Sequence, residues 1–226
     1  GLYLPDFRGW ALGRFTGNAS NPLECLFRDL FVRATGMQHP SKIPDEEIAK
    51  LGGKRTSYNE IDPVSFDKIM MEAGLGTGDV LLDLGFGLGK TLFQVALAMQ
   101  VHARGIEISP TRHKRAMEVW DLLKDSESQH MGGLDMQPLR APPGTVDLVL
   151  GDYLLADDSL WHDASLVLHN ILSQSVAQDE LFGLGLIAQQ KFIPGTLLVT
   201  VNELPGCHRG LKLVQKVMIH VDWSTV

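Results

Sequence analysis

Residues 81–89 read Leu-Leu-Asp-Leu-Gly-Phe-Gly-Leu-Gly, an apolar run carrying Asp83 near its end and then three alternate glycines, Gly85, Gly87 and Gly89. A second apolar run closes on an acid in Gly105-Ile106-Glu107-Ile108-Ser109. Strand, glycine turn, helix and second strand form the unit with which parallel α/β sheets hold a nucleotide-like ligand. Glycines there accept positive φ and let the backbone approach the ligand. Two rival ligands are each disfavoured by a single position. A phosphate loop ending in Gly89-Lys90-Thr91 requires glycine at 84, which is Leu84, and a dinucleotide fingerprint requires glycine at 90, which is Lys90. An acid just before a G-x-G-x-G turn suits a ligand with a cationic head group rather than a phosphate, because opposite charges attract at close range. S-adenosylmethionine (AdoMet) meets that description. Its ammonium would face Asp83, and Glu107 would accept both ribose hydroxyls.

Working outward, strand and helix patterns alternate. Strands are predicted at 79–83, 103–108, 146–151, 165–169, 196–202 and 212–222, and helices at 88–100, 110–124 and 176–191. Alternation of this kind calls for a mostly parallel, doubly wound Rossmann-like sheet with helices on both faces, here with an antiparallel edge made by the closing strands. Ser109-Pro110 caps and opens one helix, and Asp62-Pro63 opens another before Phe66, Ile69 and Met70. Ahead of these lie an arm at 1–20, a helix from Asn21-Pro22 to Gly36 and a short helix from Pro44 to Leu51. The expected division is therefore an N-terminal arm and helical segment at 1–57 and a catalytic domain at 58–226.

Composition bounds the rest. A chain of 226 residues with 44% hydrophobic and 21% charged residues can bury a sizeable core. No apolar run is long enough to span a membrane and no secretory signal is visible, so no membrane partner is expected. A start at Gly1 fits a piece of a longer protein. Cys25 and Cys207 are too few and too far apart for a disulfide framework, and the eight histidines lack metal-ligand spacing, so no metal is predicted. A net charge of −7 argues against strong nonspecific DNA binding by this chain alone and favours a basic partner. The run Arg112-His113-Lys114-Arg115 reads as a solvated helix face, and His169 as a strand-end residue.

Four further pieces extend the pattern: Tyr58-Asn59-Glu60 before Ser65-Phe66-Asp67, Gly151-Asp152-Tyr153-Leu154, Asn170 after Leu166-Val167-Leu168, and Trp223. In order and spacing they resemble the Dot1 family, whose enzymes methylate a lysine on the globular face of histone H3 in the nucleosome without a SET domain. The resemblance runs from about Leu26 to Trp223 and is strongest at 58–107 and 150–182. It implies a class I AdoMet-dependent methyltransferase producing S-adenosylhomocysteine, working as a monomer in the nucleus on nucleosomal H3, with DNA contacted indirectly or through flanking sequence. The family's Y-G-E loop falls on Tyr58-Asn59-Glu60, its D-L-G-x-G-x-G-Q motif on Asp83 to Lys90, its ribose acid on Glu107, and its G-D-F-L segment on Gly151 to Leu154. Its N-N-F-A-F motif falls on Asn170 to Gln174, where only the first Asn is kept, and Leu172 and Gln174 replace phenylalanines. These departures are expected of a divergent branch such as a kinetoplastid type.

The resemblance assigns cofactor contacts to Tyr58, Glu60, Ile61, Asp83, Gly85, Gly87, Lys90, Glu107, Asp152, Tyr153 and Asn170. Lys90 would reach the methionine carboxylate, Asp152 the adenine amino group, and Tyr153 would pack on the base. Asn170, Tyr58 and Trp223 would act at the reacting amine, with Ile61 and Leu172 walling an apolar channel that lowers the lysine pKa. Two other outcomes stay open: a protein or small-molecule methyltransferase of the same fold, and a non-catalytic AdoMet-binding chromatin module.

Overall fold

The computed structural model describes residues 30–37, 39–52, 58–128, 144–170, 178–201, 204, 211–216 and 221–222. Helix α1 (Asp45–Leu51) ends at Gly52, whose positive φ of 75° lets its N–H return to the Ile48 carbonyl. Strand β1 (Glu60–Ile61) is followed by α2 (Pro63–Ala73), where the Asp62 carboxylate accepts from the N–H groups of Val64 and Ser65. There follow β2 (Val80–Leu84), α3 (Lys90–Met99), β3 (His102–Glu107), α4 (Pro110–Ser128) and β4 (Val146–Leu150). Two 3-10 turns then lead to β5 (Leu166–His169), α5 (Gln178–Lys191), β6 (Leu197–Thr200) and β7 (Val221–Asp222).

Five strands form one sheet in the order β4-β3-β2-β5-β6, every pair parallel. The chain leaves β2 towards β3 on one side and later returns to add β5 on the other. The crevice at the carboxyl ends of β2 and β5 is thus the topological switch point, where such sheets bind ligands. Because successive strand residues face opposite ways, β2 and β5 feed two cores. Leu81, Leu166 and Leu168 pack with α2, α3 and α4, where Phe93 stacks on Trp120 at 5.4 Å. Leu82, Leu84 and Val167 pack on the other face with Tyr153, Trp161 and Leu184. The segment at 30–35 joins the first core through Leu30 and Phe31 and stops at Gly36, φ 66°. Among the described residues no helix is long and apolar enough to cross a membrane.

Two expectations need correction. The helix placed at 110–124 continues to Ser128. The strand placed at 212–222 is absent from 211–216, where Leu213 and Val214 are 69% and 77% exposed. Adjacent apolar side chains at 213 and 214 break the period of two, so neither face of a strand there would be continuously apolar. Of the described residues in that stretch, Val221–Asp222 pair, antiparallel to β1 in a separate two-stranded sheet, and the described main sheet has no antiparallel edge.

Candidate functional site

The glycine turn leaves the tip of β2 beneath β3. Gly85 donates to the Ile106 carbonyl at 2.8 Å, and Gly89 to Phe86 at 2.8 Å. Gly87 and Gly89 have φ of 59° and 78°. A Cβ at Gly87 would lie 2.6 Å from Tyr58 Cε2, and one at Gly89 would lie 2.8 Å from Phe93 Cζ, so both backbone shape and space require glycine.

Asp83 is 3% exposed. The Thr91 hydroxyl donates to its Oδ2, and its Oδ1 is buried without a hydrogen-bond partner. Burial pushes this carboxyl up to about 7; the Thr91 hydrogen bond opposes the shift and the Glu107 charge adds to it. Glu107, at the end of β3, accepts from Gly87 N–H at 2.7 Å and from Ser109 N–H at 2.8 Å, one on each oxygen. Burial raises its pKa, opposed by those N–H groups and by the neighbouring Arg112. The Ile108 N–H bears on it as well, and the carboxylate keeps lone-pair capacity for a further donor.

Tyr58 lies against the turn. Its hydroxyl donates to Glu60 Oε1, and Lys90 pairs with Glu60 Oε2. Lys90 is therefore engaged by a carboxylate of the chain itself, which the sequence did not suggest. Burial and the Glu60 charge push the Tyr58 phenol well up, so it stays neutral. Ile61 is buried and pairs with Val221.

At the end of β5, Asn59 donates through Nδ2 to both the Asn170 carbonyl, at 2.8 Å, and Asn170 Oδ1, at 3.1 Å. This brings the Tyr58-Asn59-Glu60 loop to the switch point. Asp152 accepts from Leu154 N–H and caps its own turn. Tyr153 is 6% exposed and turned into the second core, its hydroxyl 3.1 Å from His169 Nε2. His169 is fully buried and burial holds its pKa down to about 4, so it is neutral at pH 7. Trp223, Leu172, Gln174, Cys25 and Cys207 lie outside the described residues.

The basic run is not a solvated face. Arg112 is 4% exposed, with its guanidinium 5.0 Å from the Tyr58 ring centroid and its Nε donating to the Ser41 carbonyl at 3.1 Å. Arg115 donates to the carbonyls of Pro40 and Lys42, and His113 contacts the Leu148 carbonyl at 3.1 Å. Only Lys114 projects as expected, 79% exposed. Helical spacing carries the missed signal: 112 stands four before Ala116 and seven before Val119, both fully buried. The boundary drawn at 57/58 is also bridged, since Glu47 accepts from the hydroxyls of Ser109 and Thr111. Thr91, Asn59 and Arg112 are the site residues that sequence reasoning passed over.

The donor set fits AdoMet. An orphaned buried carboxylate oxygen matches a cationic ammonium, a second carboxylate with a lone pair to spare matches a diol, and three alternate residues without Cβ atoms admit close approach of the backbone. Among the described residues no cluster of His, Cys, Asp and Glu matches a metal site.

A parallel sheet ordered β4-β3-β2-β5-β6, with this turn and these two acids at its carboxyl edge, defines the class I methyltransferase fold. Within that class the chain is similar, over part of its length, to the DOT1 family. The family model described as histone methylation protein DOT1 matches residues 51–139, which hold the Tyr58–Glu60 loop, the glycine turn and Glu107. Two curated relatives, from two strains of Cryptococcus neoformans var. neoformans serotype D, are each named histone-lysine N-methyltransferase, H3 lysine-79 specific. Each is 31% identical over 74 residues, covering 33% of this chain and 12% of the relative. The chain thus aligns with about an eighth of the length of those relatives. Among solved structures, it is similar to an RNA methyltransferase from Salinibacter ruber in complex with S-adenosyl-L-homocysteine. That likeness has 26% identity and a TM-score of 0.44, covering 62% of this chain and 75% of the other.

Proposed function

We propose that this protein transfers a methyl group from AdoMet to the side-chain amine of a lysine on histone H3 at the nucleosome surface, in the nucleus. The observation that carries this reading is the pairing of Asp83 Oδ1, buried and unpartnered, with the glycine turn and Glu107 at the switch point. The family match over 51–139 and the names of the Cryptococcus relatives supply the substrate class.

When bound, AdoMet supplies a methyl group on a positively charged sulfur. The chain's residues do the rest. Asp83 holds the ammonium and Glu107 the ribose diol. The backbone from Gly85 to Gly87 lies along the ligand, and Tyr58, Glu60 and Ile61 line it on the loop side. Lys90, paired with Glu60, would be the cation offered to the methionine carboxylate. Asp152 and Tyr153 stand at the adenine end, Asp152 through its side chain and Tyr153 by backing the pocket from the core. Asn170, held by Asn59, would orient the incoming amine with Tyr58 beside it; the family resemblance gives Trp223, which lies outside the described residues, a role at the same amine. The lysine must arrive neutral, and an apolar approach disfavours its charged form. His169 takes no part as a base, because both its burial and its low pKa keep it out of proton exchange with the amine.

The −7 charge suits a basic histone surface and opposes DNA, so docking on nucleosomal DNA falls to flanking sequence. The chain acts as a monomer, with every proposed cofactor and channel residue within 58–226 and the stretch 40–47 hydrogen-bonded to it. The test is incubation with methyl-labelled AdoMet and, in parallel, nucleosomes, free H3 and small amines, followed by mass spectrometry of H3. Label on an H3 lysine in nucleosomes is expected. Label confined to another protein or a small molecule would transfer the reading to a different substrate. Binding of AdoMet without label on any acceptor would leave a non-catalytic module.

A further inference from the structure

Arg112 is a buried cation that the proposed reaction does not use directly. It projects from the first turn of α4, where a positive charge is disfavoured by the exposed N–H groups of the helix end. Burial there costs more still unless acids and acceptors surround it. The surroundings supply them. Ser41 accepts from its Nε, the Tyr58 ring lies under its guanidinium at 5.0 Å, and Glu107 and Glu47 are the acids beside it. The Tyr58 ring in turn lies where any Cβ at Gly87 would fall. Ser109 completes the connection: its N–H donates to Glu107, its hydroxyl donates to Glu47, and it accepts from Arg112 N–H at 3.1 Å.

We infer that Arg112 is a positioning residue for the cofactor site: it presses Tyr58 onto the glycine turn and supplies the charge that keeps Glu107 an anion able to receive the ribose diol. This deepens the AdoMet reading given above and rests on it. A planar guanidinium can stack on a ring while donating at its edge, which an ammonium cannot do, so lysine is only a partial substitute. The titratable and charged groups that act on Glu107 itself are Tyr58, Asp83 on β2 and Arg112 on α4; Glu60, paired with Lys90, holds the Tyr58 hydroxyl, and Glu47 on α1 acts on Arg112. Removing Arg112 takes away the cation that opposes the rise in the Glu107 pKa.

The experiment measures affinity for S-adenosylhomocysteine by calorimetry at about pH 6.5 and about pH 8.5 in wild type, Arg112→Lys and Arg112→Met, with circular dichroism as the check on folding. Asp83 titrates in all three proteins and is coupled to Glu107, so the ratio to wild type at each pH reads the effect of Arg112 on the two carboxylates together. The expected result is a loss of about tenfold or more for Arg112→Met at the lower pH and a smaller one at the higher pH, because losing the cation favours the protonated carboxyl, with Arg112→Lys in between. Wild-type affinity at both pH values would overturn the inference. So would a loss equal at both pH values in Met and Lys variants alike, which is what packing alone would give. If Arg112→Met does not fold, Arg112→Lys decides: a several-fold loss that narrows with pH supports the role, and an unchanged or uniform affinity refutes it. Wild-type protein that fails to bind S-adenosylhomocysteine at all would instead refute the cofactor reading.

Discussion

Asp83 links cofactor binding to pH, and the link has a definite sign. Its carboxyl is ordinary in the unfolded chain, at 3.8, and is raised to about 7 in the fold. The folded protein therefore holds the extra proton between those values. Stability falls as pH rises through that window and levels off above about 7, with a total change on the order of 4 kcal/mol. Asp83→Asn removes the charge and keeps the shape. It should raise the melting temperature of the unliganded protein at about pH 8 by roughly 10 °C at most, and leave it nearly unchanged at about pH 4. Glu107 and Asp67 are also raised by burial and tilt the curve the same way, so the comparison with wild type, not the curve alone, reports Asp83. A ligand ammonium beside Oδ1 reverses the preference and draws the proton off. S-adenosylhomocysteine, which keeps the ammonium and lacks the methyl, should bind wild type about tenfold more tightly at about pH 8 than at about pH 6. It should release about half a proton near pH 7, read from calorimetry in buffers of different ionisation enthalpy. Identical melting profiles for wild type and Asp83→Asn, with no proton release on binding, would refute the reasoning.

Gly87→Ala places a methyl 2.6 Å from Tyr58 on a residue with positive φ; it should cost about 1 kcal/mol in stability and at least tenfold in cofactor affinity, with part of the affinity returning in a Tyr58→Ala background by calorimetry. No rescue there would mean that Tyr58 is not what the methyl meets. Asn59→Ala frees Asn170 and should lower turnover on nucleosomes by roughly 3–10-fold with S-adenosylhomocysteine affinity unchanged; unaltered turnover would count against Asn170 as the orienting group. Phe93→Ala opens the first core beside Trp120 and should cost about 3–5 kcal/mol in urea unfolding; a loss under about 1 kcal/mol would contradict the packing described.

The segment from Val80 to Glu107 was legible because short-range rules decide it. An apolar run, a glycine turn with required positive φ and a second run leave little choice, and the caps Asp62 and Ser109 obey a local hydrogen-bond rule. What escaped depends on distance or on competition. Asn59 and Asn170 meet across 111 positions, and no pattern in either neighbourhood announces the pair. Arg112 was read by its charge, although its place on the helix, in line with Ala116, Val119 and Leu123, assigned it to the buried side. Lys90 was assigned to a ligand carboxylate because Glu60, thirty positions earlier, could not be placed beside it from sequence. The closing segment failed for the opposite reason: residue type favoured a strand, and the broken alternation at Leu213-Val214 opposed it.

The clasp made by Arg112, Arg115 and Glu47 bears on where this protein can be cut. Ser41, Pro40 and Lys42 supply carbonyls to two arginines of α4, and Glu47 takes two hydroxyls from the same helix start. A shortened version begun at Tyr58 would shed all of these acceptors at once and leave Arg112 to Tyr58 and Glu107 at the wall of the ligand crevice. Any minimal active piece must therefore begin upstream of His39, and recombination between relatives should keep the stretch from 39 to 51 with the helix it grips rather than treat it as a detachable leader.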